Sequence, residues 1–192
     1  MLDRTKRPHI NSLKGFDILP PERIKLLNGS TLNIINAGTQ DVVRLDIIVK
    51  GGRYHQNKPL QALFTNRMLR EGSRMFSSSQ IAEKLDYYGA WLELSSASEY
   101  SFISLYSLNK YFAQTLEIIE SIIKEPIFPE KEFNTTIEIN RQQLLVNSTK
   151  TDSIAQKYFN LAIFGSKHPS GNAVTINDYN QLTREDVEVL HQ

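Results

Sequence analysis

The sequence predicts an α+β domain, a mainly antiparallel sheet with helices packed on one face. Three observations carry that prediction. Short alternating apolar runs separated by turn residues mark strands and hairpins. Longer runs with apolar residues at helical spacing, ended by glycine or proline, mark helices. In chain order these give a hairpin, a strand, two helices, a second hairpin, and then helices only.

Met1 to Pro21 holds three prolines and few periodic apolar residues, and is expected to be an extended arm preceding a domain over 22–192. Ile24 and Leu26, then Asn28-Gly29, then Leu32 and Ile34 predict the first hairpin. Val43, Leu45, Ile47 and Val49 alternate in a third strand that Gly51-Gly52 ends. Pro59 precedes and Gly72 follows a helix burying Ala62, Leu63, Phe64, Met68 and Leu69. Ser77-Ser78-Ser79 caps a second helix, Gln80 to Tyr88, and Gly89 closes it. Ala90 to Ala97 and Tyr100 to Leu108 form the second hairpin, with Leu94, Phe102 and Tyr106 assigned to a sheet face. Lys110 to Lys124 is a long helix with Phe112, Leu116, Ile119 and Ile123 facing the core, broken by Pro126 and Pro129. Phe133, Ile137 and Leu144 face inward from a helix over Glu130 to Asn147. Thr151-Asp152 is expected to cap Ser153 to Phe164, Asp178 to Leu182 to form a turn, and Thr183 to open a last helix.

The chain carries 22 Lys+Arg against 21 Asp+Glu, so no long-range field favours nucleic acid or an anionic membrane. It has no cysteine, which excludes disulfides and thiolate-bound zinc. No run approaches the roughly 18 apolar residues of a membrane span, and Met1 to Lys14 lacks the apolar core of a secretory signal. The compartment stays open between cytoplasm and periplasm. His9, His55, His168 and His191 are never four apart, and no phosphate-binding glycine loop occurs. Arg67 and Arg70 are expected to form salt bridges with Glu71 or Glu138, and Trp91, Tyr100 and Tyr106 to pack as strand aromatics.

The order V-x-G-G-R-Y at Val49 to Tyr54, then Ala62, Phe64, Met68, Leu69 and Gly72, resembles the first metal-binding helix of the insulinase/pitrilysin family of zinc peptidases. There the pattern is V-x-G-S-R-Y-E followed by G-x-A-H-F-x-E-H-M-L-x-x-G-T. Pro126-Ile127-Phe128-Pro129, His168-Pro169-x-Gly171 and Leu182-Thr183-Arg184-Glu185-Asp186 extend the resemblance to nearly the whole chain from about Glu22. The resemblance implies one half of that family's unit, truncated before its last strand and second domain.

The letters that carry the family's chemistry differ. The two histidine positions hold Leu63 and Arg67, the general-base glutamate position holds Asn66, and the third-ligand and supporting glutamates fall on Gln143 and Thr136. Leucine has no lone pair, and arginine stays protonated with no acceptor. A guanidinium about 4 Å from Zn²⁺ is repelled by roughly 8 kcal/mol at an effective dielectric near 20. The resemblance therefore implies no cofactor, although the family uses zinc, and no catalytic residue. It also implies a non-catalytic homologue partnering an active subunit, like the two-subunit processing peptidases of that family, or else a structural assembly subunit. In that family the strand matching Leu92-Glu93-Leu94-Ser95-Ser96 is an edge that pairs with extended peptide.

Overall fold

A computed structural model describes Gly15 and residues 18–192. The expected arm, Met1 to Pro21, lies largely outside these residues. The chain divides into two compact units between Gln40 and Asp41.

In the first unit, β1 (Glu22–Lys25) pairs antiparallel with β2 (Thr31–Ile34). Gly29 takes φ 84°, the left-handed conformation that the Asn-Gly signal predicts.

The second unit is built on a three-stranded antiparallel sheet, order β3-β5-β4, from β3 (Val42–Lys50), β4 (Trp91–Ser96) and β5 (Tyr100–Leu108). Leu45 and Leu92 lie opposite Leu105, and Ile47 and Leu94 lie opposite Ile103. These residues form the face that joins the helical core. Because strand residues alternate faces, Phe102 and Tyr106 lie on the opposite side from Leu94, which corrects their expected grouping.

Against the core face pack α1 (Gln61–Met68), α2 (Ser78–Tyr87), α3 (Phe112–Lys124), α4 (Glu130–Asn147) through Phe133, Ile137 and Leu144, α6 (Ile176–Gln181) and α7 (Arg184–His191). The remaining helix, α5 (Thr151–Phe164), buries no residue. Phe64 sits at the centre, edge-on to Phe133 and Tyr179 with ring centroids 6.2 and 6.1 Å away. Aromatic edges meeting aromatic faces are the favoured geometry.

Pro59 precedes α1, as expected, but several other local expectations change. Leu60 leads in with φ 72° and is buried in the core, which offsets the strain of a left-handed leucine. Gln56 Oε1 accepts the otherwise orphaned Ala62 N–H. In α3 the buried stripe is Thr115, Ile118, Ile119 and Ile122, while Leu116 is exposed. Thr115 can be buried because its hydroxyl donates to Ser107 Oγ at 3.0 Å. Helix α5 starts at Thr151 with Lys150 before it, so Thr151 and Asp152 sit in the first turn and do not cap it. The turn expected at Asp178 is the helix α6, opened by a Thr175–Asp178 capping box.

Gly52 is more than a strand end. A Cβ there would lie 2.6 Å from the Glu99 carbonyl carbon and the Tyr100 nitrogen, because the chain crosses directly over the β4–β5 turn. Gly52 N–H donates to Glu99 O at 3.1 Å and Arg53 N–H to Ala97 O at 3.0 Å, fixing that crossing.

Candidate functional site

Helix α1 is held by polar side chains at both of its ends and on its sheet side. Gln61 Nε2 donates to Asp186 O at 2.6 Å, and Thr65 Oγ1 donates to Val187 O at 3.2 Å, tying α1 to α7. Lys58 Nζ reaches the Asp186 carboxylate at 2.8 Å beside them. Burial pushes that carboxyl up, but Lys58 and the Thr183 capping bonds outweigh it and hold Asp186 below the usual range.

Leu63, Asn66 and Arg67 fall within one turn of α1. Leu63 is half-buried and packs against the core. Asn66 is 3% exposed, its Nδ2 donates to Phe102 O of β5 at 3.3 Å, and its Oδ1 has no partner. Arg67 is exposed and its Nη1 donates to Asn140 Oδ1 of α4, while Asn140 Nδ2 donates to Thr136 O at 2.7 Å. Burial raises the Tyr179 phenol pKa, and the Arg67 guanidinium pulls against that rise.

Arg67 therefore reaches across to α4, but it meets Asn140, which the sequence reading did not single out. Gln143 is one turn further on, exposed, and donates to its own helix at Asn147 Oδ1, 3.1 Å away. The only signal for Asn140 was its position three residues before Gln143, on the same stretch of helix surface. Nor do the two arginines make the expected salt bridges. Arg70 Nη2 donates to Leu92 O at 2.7 Å, Glu71 accepts from Ser78, and Glu138 pairs with Arg141.

Beside α1 lies β4, an edge of the three-stranded sheet. Ala97 N–H donates to Tyr100 O at 2.8 Å across the turn, which sets the alternation of the ladder. Glu93 and Ser95 then bond to β5, and the backbone groups of Leu92, Leu94 and Ser96 point away from the sheet. Arg70 takes one of these outward carbonyls, that of Leu92.

The sequence pattern described as Insulinase (Peptidase family M16) matches residues 32–174, which include α1, β4 and α4. The chain belongs to the insulinase family. It is 24% identical over 142 residues, 73% of its length, to an uncharacterized zinc protease of Rickettsia felis, and spans 34% of that protein. Its fold is similar to a crystal structure of a peptidase M16 inactive domain from Pseudomonas fluorescens, with a TM-score of 0.84, 20% identity, and coverage of 90% of this chain and 43% of that one. A protease from Helicobacter pylori is similar at a TM-score of 0.80 and 14% identity, over 91% of this chain and 43% of that one. The chain thus spans well under two thirds of the insulinase-family relatives it matches.

The side chains present do not fit the family's zinc ion. Leu63 offers no donor atom, Arg67 brings a positive charge, and Asn140 is engaged by that charge. Among the described residues, no three His, Asp or Glu side chains converge elsewhere as a metal site. No described helix is long and apolar enough to cross a membrane.

Proposed function

We propose that this chain is a non-catalytic insulinase-family half-unit that walls a substrate chamber opposite an active, zinc-bearing subunit. The observation that carries this reading is the Arg67–Asn140 pairing between α1 and α4, where the family's ligands converge. A guanidinium there keeps the two helices together without a metal, and repels one. The neighbouring edge strand supplies the retained role. Leu94 and Ser96 direct backbone N–H and C=O groups outward, and extended peptide pairs with such an edge through its main chain alone.

Arg70 supports a second reading, that of a structural subunit without peptide substrate. Its guanidinium already satisfies the Leu92 carbonyl, so a peptide pairing along all of β4 has to displace it.

The test adds the full chain to an active family peptidase from the same source and follows cleavage of extended peptides. The reading expects a lower KM or higher kcat, with Trp91 to Ser96 protected from hydrogen exchange when peptide is present. Association without any kinetic effect or protection supports the structural role. No association with such a peptidase refutes the chamber reading.

A further inference from the structure

The outer edge of β4 is covered at Leu92, and the group that covers it is a guanidinium. Arg70 Nη2 donates to Leu92 O at 2.7 Å, and Leu92 is 5% exposed although its backbone points out of the sheet. Arg67, three residues earlier and so its neighbour on the helix surface, is exposed and donates to a neutral amide, Asn140 Oδ1. Among the described residues, neither guanidinium lies within 4.0 Å of a carboxylate. The acids around them are engaged or turned away. Glu71 accepts from Ser78 Oγ at 3.0 Å, Glu138 pairs with Arg141, and Glu93 extends from the opposite face of the sheet.

A peptide pairing antiparallel with β4 has to satisfy Leu92 O with a backbone N–H of its own. Because the backbone of Leu92 faces outward, the peptide residue opposite it forms a doubly bonded pair with it. Residues directly opposite one another share a face of the sheet. The Leu92 side chain lies on the core face, the side on which α1 packs. The peptide residue that expels Arg70 from Leu92 O therefore directs its own side chain toward α1, where Arg70 and Arg67 are. An acidic side chain there receives the guanidinium that its own backbone displaces. The exchange replaces a bond to a neutral carbonyl with a charge-assisted one, which is shorter and roughly twice as strong. A neutral side chain returns Arg70 only to water, and a lysine adds a third positive charge.

We propose that Arg70 gates β4 for extended peptides that carry an aspartate or glutamate opposite Leu92, with Arg67 as the second partner of that carboxylate. The proposal rests on the chamber reading, because it needs β4 to receive peptide. It also gives the Arg70–Leu92 contact a role within that reading. The bond that closes the edge to neutral and basic peptides is the one an acidic peptide exchanges for a better bond.

Fluorescence anisotropy on the full chain with three labelled peptides tests it. The peptides are Ser-Thr-Val-Thr-X-Thr-Val-Thr-Ser with X as Glu, Gln or Lys, blocked at both ends so that a side chain supplies the only carboxylate. The Glu peptide should bind at least about tenfold more tightly than the Gln peptide, and the Lys peptide most weakly. The preference should shrink as salt rises, because both guanidiniums are exposed. Arg70→Ala should remove most of the preference and yet bind the Gln peptide at least as tightly as wild type does, because Leu92 O is then free; a misfolded chain would not. Arg67→Gln together with Arg70→Glu should reverse the preference in favour of the Lys peptide. Hydrogen exchange on the Glu complex should show protection at Trp91 to Ser96. Equal affinities with β4 protected overturn the proposal and leave the chamber reading standing. Binding of none of the peptides also overturns it, and the kinetics of the peptidase complex then decide the chamber reading separately. A Glu preference that survives Arg70→Ala, or that protects residues away from β4, puts the carboxylate elsewhere and likewise overturns it.

Discussion

The sequence resemblance puts Asn66 at the family's general-base position, where its energetics should be those of a misplaced polar group. It is nearly fully buried, with one long hydrogen bond to Phe102 O and an Oδ1 that has no partner. Phe102 is also a bonded partner of Ser95 in the ladder, so its carbonyl does not depend on Asn66. Replacing Asn66 with leucine removes a bond with a net value of about 0.5–1.5 kcal/mol, and relieves an orphaned acceptor costing about 1–3 kcal/mol. The difference in shape takes back up to about 1.5 kcal/mol. The balance runs from about neutral to a stabilisation of about 1 kcal/mol, which for a chain of this length raises Tm by at most about 2–4 °C. Thermal melts and urea titrations of wild type and Asn66→Leu measure it. A loss of about 2 kcal/mol or more refutes the reasoning, and means that Oδ1 is satisfied by something that a hydrocarbon displaces.

Other outcomes follow from the same contacts. Phe64→Ala should cost about 3–5 kcal/mol, because the ring is fully buried between Phe133 and Tyr179, and a urea midpoint near that of wild type would contradict this. Gly52→Ala should destabilise by at least about 1–3 kcal/mol, since the added carbon meets backbone atoms that cannot rotate away, and a neutral melt would show that the crossing can shift. The lowered Asp186 carboxyl contributes stability that is present above the unfolded aspartate value near 3.9, and is lost as pH falls through its lower folded value. Asp186→Asn should therefore flatten the acid limb of a stability–pH profile below about pH 4, and an unchanged limb would remove Asp186 from the account.

Much of this was legible in the sequence because it is local. The Asn-Gly turn, the Ser77 and Thr183 caps, and the alternation of β3 each depend on residues within a few positions of one another. The family also shows itself locally, in the letters around α1 that the fold needs for packing. What escaped was set by partners distant in the chain. Gln61 and Asn66 are polar yet buried because α7 and β5 supply carbonyls more than thirty residues away. Thr115 displaced Leu116 from the core because Ser107 satisfies its hydroxyl. Gln143 and Asn140 are three residues apart on one helix, and only the crossing of α1 over α4 decides which of them meets Arg67. The exposed face of α5 was invisible for the opposite reason, since apolar residues at helical spacing look the same whether they point in or out.

On the proposed reading, the Arg67–Asn140 pair holds the family's metal position and the chain takes no zinc. Elemental analysis of the purified chain, after equilibration with excess zinc and removal of loosely bound ion, tests it most directly. The account predicts a zinc content far below stoichiometric, and no change on Asn140→Ala or Leu63→Ala. A stoichiometric zinc ion that is lost when residues of α1 or α4 are substituted would contradict it.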